Sequence, residues 1–242
     1  MTLKKVFATM ASMPKTDQTS RKIGTLRETS LHLGLKNWYT RPGDSTEQFV
    51  DGYVIDIVRD SVLIEVQTGN FASLKRKLRD LLPNHKIHLV YPVAEEKWIC
   101  RQSRGGELLA RRKSPRRGQI EDLCAELLYI ADQALHPNFS LEVVRILSED
   151  VWTDDGLGSW RRQGWSLSDR RLLAVKNQTF FDCQQDYSRL IPEIAEPFRT
   201  QDLARALKFS GTRAQKVVYC LRKMGLIRVA GKRGRAFLYE RC

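Results

Sequence analysis

Asp56 and Glu65 are the residues on which chemistry could rest. They lie in the run 53–67, YVIDIVRDSVLIEVQ, where two β-branched stretches flank a polar break at Asp60-Ser61. This is the pattern of a β-hairpin. With a two-residue loop, Arg59 faces Val62, Val58 faces Leu63, Ile57 faces Ile64, and Asp56 faces Glu65. Opposed side chains stand about 4.5–5.5 Å apart at Cβ, and like charges so placed are destabilising unless something neutralises them. A divalent cation would do so, and oxygen ligands on a rigid pair of strands suit Mg2+. The ordinary fate of a strand carboxylate is to face water at an edge. The neighbours argue against it here: Ile55, Ile57, Val62, Ile64 and Val66 form one apolar face, while Val54, Val58 and Leu63 partly bury the other. Burying a charge costs free energy unless it is paired. Register decides the matter, because a three-residue loop would set Asp56 against Ile64.

Several elements must position this pair. Residues 25–39 read as a helix, with Thr25 and Glu28 in capping-box spacing and Leu31, Leu35 and Trp38 on one face. After the hairpin, residues 71–82 form a helix with Phe71, Leu74, Leu78 and Leu81 inward and Lys75, Arg76, Lys77 and Arg79 on its flanks. Residues 86–93 return as an apolar strand, which makes a strand–helix–strand crossover and an α/β core.

This order resembles the PD-(D/E)XK nuclease superfamily, in particular its Holliday-junction-resolvase-like branch. The motif residues are Asp56, then Glu65-Val66-Gln67, then the basic helix, and the resemblance covers roughly residues 25–100. It implies that Asp56 and Glu65 hold Mg2+ or Mn2+, that Glu28 is a first-helix acid, and that a lysine positions or activates the attacking water. Gln67 stands where that lysine is expected, so Lys75 or Lys77 is the candidate replacement. Asp51 is a second candidate for the strand acid, although it points to the other face. The resemblance further implies a homodimer or a larger DNA-processing complex.

Charge points to the same class of partner. The net charge is +13, concentrated in two places: residues 101–117 carry seven Lys/Arg against one Glu, and residues 197–242 carry twelve against two Asp/Glu. Confined positive charge suits a polyanion such as DNA. Five cysteines without a CxxC pair and four scattered histidines predict a reducing cytoplasm and neither a disulfide framework nor a zinc site. No apolar run approaches a membrane span, and residues 6–13 are too short and mildly apolar for a signal peptide.

The remaining segments read as follows. Residues 1–24 are a polar tail and 101–117 a basic loop. Residues 119–135 are a helix and 140–147 a strand. Residues 151–166 hold Trp152, Trp160 and Trp165 around an Asp-Gly turn, and the indoles read as packing. Thr200 caps a helix over 201–208 and Thr212 caps a second over 213–224. Short strands at 226–229 and 236–239 flank a basic loop. Residues 197–241 resemble a winged helix-turn-helix domain. That resemblance implies a reading helix with Arg213, Gln215, Lys216, Tyr219, Arg222 and Lys223 on its open face, and a wing with Lys232, Arg233 and Arg235. The expected fold is therefore α/β: a restriction-endonuclease-like mixed sheet flanked by helices over 25–190, with a small winged-helix domain over 195–242. The expected function is Mg2+-dependent hydrolysis of DNA. Gln67 keeps open a second reading, a nuclease fold without catalysis that serves as a DNA-binding regulator or complex subunit. A third, a transcription factor with a ligand-sensing domain, requires a closed apolar pocket instead of paired acids.

Overall fold

In a computed structural model, which describes residues 29–242, the hairpin closes through Asp60-Ser61 with Arg59 opposite Val62, Val58 opposite Leu63 and Ile57 opposite Ile64. Its strands are β2 (Tyr53–Arg59) and β3 (Val62–Val66). An edge strand, β1 (Ser45–Val50), precedes them and completes an antiparallel meander. The chain then crosses through α2 (Leu74–Leu81) to β4 (Lys86–Gln102), which lies parallel to β3. Strand β6 (Phe139–Asp154) adds parallel to β4, and β7 (Trp165–Phe181) closes the order antiparallel to β6. The protein is thus mixed α/β, with a mixed sheet ordered β1-β2-β3-β4-β6-β7 and helices on its faces.

One edge of β4 is shared. Its first half pairs with β3, through Val66 opposite Val90, and its second half pairs with β5 (Leu108–Lys113), from Trp98 onward. Between these partners, residues 91–97 of β4 form a fork in the sheet. A strap, residues 114–118, bridges the fork: the Ser114 N–H donates to Lys97 O and the Gly118 N–H donates to Ala94 O, each at 2.8 Å.

Helix α1 (Ser30–Tyr39) packs Leu31, Leu35 and Tyr39 against Ile57, Ile64, Val66, Val90, Val144 and Ile146. A Cβ on Gly34 would stand 3.1 Å from Leu172 Cβ, so the helix lies close on β7. On the other face, Leu74, Leu78 and Leu81 of α2 pack with Ile55, Leu63, Ile87 and Leu89. That cluster continues without a break into α4 (Thr200–Leu207), α5 (Gly211–Lys223) and the hairpin of β8 (Ile227–Arg233) and β9 (Ala236–Arg241). Among the described residues no helix is long and apolar enough to cross a membrane.

Several expectations need correction. The basic loop over 101–117 contains β5, whose residues are all exposed; an edge strand guarded by Arg and Lys reads as a linker in sequence. The helix over 119–135 is broken into a 3-10 turn at Ile120–Leu123, a short α3 (Cys124–Leu127) and a 3-10 turn at Gln133–Leu135. Its apolar residues recur largely at spacings of three, which the tighter 3-10 geometry stacks in line. The strands at 86–93 and 140–147 run on to Gln102 and Asp154, and β1 and β7 lay outside the expected strands. Their residues are largely exposed or half-buried, which hides the alternation that marks a half-buried strand. Ser210, not Thr212, caps α5 by accepting from the Arg213 N–H, and Arg199 precedes α4 at the position expected of Thr200. Thr29 caps α1, while the Thr25–Glu28 capping box and the tail over 1–24 lie outside the described residues.

Candidate active site

The β2–β3 ladder ends at Ile57 and Ile64, and beyond it side chains take up the backbone groups of the two strands. The Val66 N–H donates to Asp56 Oδ2 at 2.9 Å. Lys77 Nζ, reaching in from α2, donates to Val54 O at 2.6 Å and also pairs with Glu65 Oε1. From α1, His32 brings its ring Nε2 to 3.2 Å from Asp56 Oδ2. Four elements therefore deliver one residue each to the point where the two central strands part. Asp56 comes from β2, Glu65 from β3, Lys77 from α2 and His32 from α1.

The electrostatics separate the two acids. Burial pushes the Glu65 carboxyl up to about 7, with the Lys77 charge opposing and the Asp56 charge adding to the rise. Burial also works to raise Asp56, but the His32 hydrogen bond, the Val66 N–H and the Lys77 charge together hold it below the usual carboxylate value. One acid is firmly ionised and its neighbour sits near neutrality, a split that environments impose on acid pairs with different tasks. Carboxylate oxygens are the hard donors that Mg2+ or Mn2+ takes, although here Glu65 already pairs with Lys77 and Asp56 with His32. Mg2+ in particular takes one or two carboxylates and completes its shell with water and substrate phosphate oxygens. Among the described residues no group of three or more His, Cys, Asp or Glu is placed to hold an ion.

The other sequence candidates distribute as follows. Of the two lysines, Lys77 is at the site, and Lys75 is on the exposed side of α2. Gln67 follows the end of β3; its N–H bonds Val90 O and its side-chain amide donates to Gly69 O. Asp51 sits in the β1–β2 turn with φ +46° and pairs with His85 at 2.7 Å, which leaves Asp56 as the acid of the strand. Glu28 lies outside the described residues. On α5, Gln215, Lys216, Tyr219 and Arg222 are exposed, as are Lys232, Arg233 and Arg235 on the β8–β9 hairpin. Arg213 is half-buried, pairing with Asp122 and stacking 3.7 Å over the Phe209 ring; Lys223 is exposed like the others but pairs with Asp132 at 3.2 Å. His32 was missed by sequence reasoning. Its signal is a polar stripe on α1: Lys36, four residues on, is buried and pairs with Glu47 at 2.9 Å.

Comparison with known proteins places the chain without assigning a task. A family model described as a domain of unknown function, DUF8091, matches residues 29–182, from the cap of α1 to the end of β7. An uncharacterized protein of Treponema pallidum (strain Nichols) is 33% identical over 221 residues, covering 90% of this chain and 87% of that one. No solved structure matches. The chain belongs to the DUF8091 family.

Proposed function

We propose that this member of the DUF8091 family is a metal-dependent nuclease that hydrolyses DNA phosphodiester bonds, built on a restriction-endonuclease-like core with a C-terminal winged helix. The observation that carries the reading is the convergence of Asp56, Glu65 and Lys77 where β2 and β3 part. The element order α1-β1-β2-β3-α2-β4 supports it, since it delivers an acid from each hairpin strand and a cation from the crossover helix.

Asp56 and Glu65 would hold the divalent ion. Bound there, such an ion stabilises charge on the phosphate and makes water a stronger nucleophile at neutral pH. Asp56 is kept ionised by the Val66 N–H and by His32, which acts as a positioning residue through it. Lys77 supplies the positive charge that Gln67 cannot, and its second bond to Val54 O fixes its reach. Gln67 contributes only a neutral amide, anchored to Gly69 O. The exposed face of α5 and the β8–β9 hairpin would bring duplex DNA to the protein.

One observation favours the binding-only reading: Lys77 neutralises Glu65 internally, so the pair is also satisfied as a structural ion pair. Cleavage of supercoiled, single-stranded and four-way-junction DNA with Mg2+ or Mn2+ separates the two. Metal-dependent cutting by wild type, lost in Glu65→Ala and in Lys77→Met while DNA binding persists, is the expected result. Tight binding with no cutting of any substrate by wild type would overturn the nuclease reading in favour of a regulator or complex subunit.

A further inference from the structure

The fork in the sheet between β3 and β5 opens a crevice of about 270 Å3. Its polar lining includes Thr68, Ser114, Ser148, Lys97, Arg116 and Arg170. It begins beside the candidate active site: Thr68 follows Gln67, and Leu31, next to His32, lines it too. The crevice lies beyond the carboxyl end of β3, where the loss of that strand leaves room for a ligand beside β4, which runs on past it.

Ser148 is the informative residue. It is wholly buried, lines the crevice, and its Oγ has no hydrogen-bond partner among the described residues. A buried hydroxyl left unpaired costs free energy, so it marks a place where a polar group from outside completes the structure. Lys97 is its register partner on β4. Asp150 fixes two of the cations, Lys97 at 2.9 Å and Arg170 at 2.8 Å. Its single charge leaves that trio net positive. Asp122 also lines the crevice, but its charge is taken by Arg213. A hydroxyl donor among held cations is a site for a phosphate group.

The crevice continues into a second one of about 330 Å3 that shares Lys97 and Ser114. This is lined by Arg101, Arg112, Arg161, Arg162, Trp152 and Trp165. Arg101 lies 4.9 Å from the Trp165 ring centroid, and Arg162 lies 4.9 Å from that of Trp152. Each guanidinium lies over one face of its indole, a stacked layer to which backbone phosphates and unpaired bases can add.

We infer that this trough binds a single nucleic-acid strand, with one backbone phosphate seated at Ser148, Lys97 and Arg170 and the adjoining bases on Trp152 and Trp165. The inference deepens the nuclease reading and rests on it for the direction of the strand, which leads from the trough toward Asp56 and Glu65. It gives the Trp-rich region a role beyond packing.

The test is binding of fluorescein-labelled dT15, the matching duplex and thymidine monophosphate to the full chain in chelator, so that cutting plays no part. Wild type is expected to bind dT15 far more tightly than the mononucleotide, with quenching of tryptophan fluorescence, while duplex seated on α5 and the β8–β9 hairpin leaves the trough tryptophans unquenched. Ser148→Ala is expected to weaken dT15 binding about tenfold, the loss of one hydrogen bond to a charged group. It should also raise Tm by about 2–4 °C, because an unpaired buried hydroxyl is removed. Trp152→Leu, a second variant that leaves the phosphate seat intact, should weaken dT15 binding and reduce the quenching. Unchanged dT15 binding in Ser148→Ala would overturn the phosphate seat. Duplex binding that Ser148→Ala and Trp152→Leu weaken as much as they weaken dT15 binding would overturn the single strand, and monophosphate matching dT15 would make the crevice a mononucleotide pocket. A protein that cuts no DNA can pass this test and one that cuts can fail it, so the two readings fall separately.

Discussion

Glu65 is held in a state that its own fold resists. Its carboxyl is pushed up to about 7, chiefly by burial, so the folded protein binds a proton there that the unfolded chain has already released. The sign of the linkage follows: stability from this group is unaffected below the unfolded value near 4.5 and declines as pH rises from there through 7. The loss amounts to roughly 3 kcal/mol at about 1.4 kcal/mol per pKa unit. Asp56 acts in the opposite sense, because its lowered value stabilises the fold above the ordinary carboxylate range and loses that contribution in acid. Glu65→Gln fixes the neutral form. Urea unfolding of the variant in chelator is expected to show a much shallower decline between pH 4.5 and 7 than wild type shows. An ion at the pair would reverse the penalty, so Mg2+ at pH 8 should raise the Tm of wild type and leave that of Glu65→Gln nearly unchanged. Equal pH profiles for the two proteins would mean that Glu65 is not the strained acid.

At the scale of elements, the crevice depends on how closely the strap over residues 114–118 approaches β4. A Cβ on Gly118 would lie 2.8 Å from both Ala94 O and Val93 Cγ1, one of them a backbone atom that cannot turn aside. Gly118→Ala must therefore lift the strap and lose the bond from its N–H to Ala94 O. The expected cost is about 1–3 kcal/mol, the penalty of an unpaired buried polar group. Calorimetry or urea unfolding measures it, and dT15 affinity should fall alongside; wild-type stability in Gly118→Ala would mean that the strap is not held there. This element shows where sequence reading stops. The hairpin was legible near its turn, where the polar break fixes the pairs from Arg59 opposite Val62 to Ile57 opposite Ile64; the expected Asp56–Glu65 pair lies beyond the end of the ladder, and Ile55 packs on the α2 face instead of sharing the face of Ile57. Lys77 could not be separated from Lys75, because the choice depends on how α2 rotates against β3. β5 and β7 were illegible for another reason: strands with exposed, charged faces owe their existence to the neighbours they pair with, which lie far away in sequence.

Across the whole molecule, the positive charge divides between what the fold consumes and what it leaves for a partner. Residues of like charge on α5 have different fates. Arg213 pairs with Asp122 and covers the Phe209 ring, and Lys223 pairs with Asp132, so both tie α5 to the segment around α3. Lys216 and Arg222 are exposed on the helix's outer face. Burial lowers the pKa of Arg213, with the Arg116 charge of the strap acting in the same direction. Counterion release turns this division into a measurement. The logarithm of duplex affinity falls with the logarithm of salt by about 0.9 for each phosphate neutralised. Lys216→Ala combined with Arg222→Ala should lower the magnitude of that slope by about 1.8, with Tm almost unchanged. Arg213→Ala should leave the slope near that of wild type and lower Tm, because Asp122 and Phe209 lose their partner. Fluorescence anisotropy across a salt series reads the slopes. If Arg213→Ala flattened the slope as much as the double variant, the α5–α3 ion pairs would open on binding and the consumed charge would belong to the DNA surface after all. If neither variant changed it, duplex DNA would have to be gripped elsewhere, and the outer face of α5 would be free for another partner.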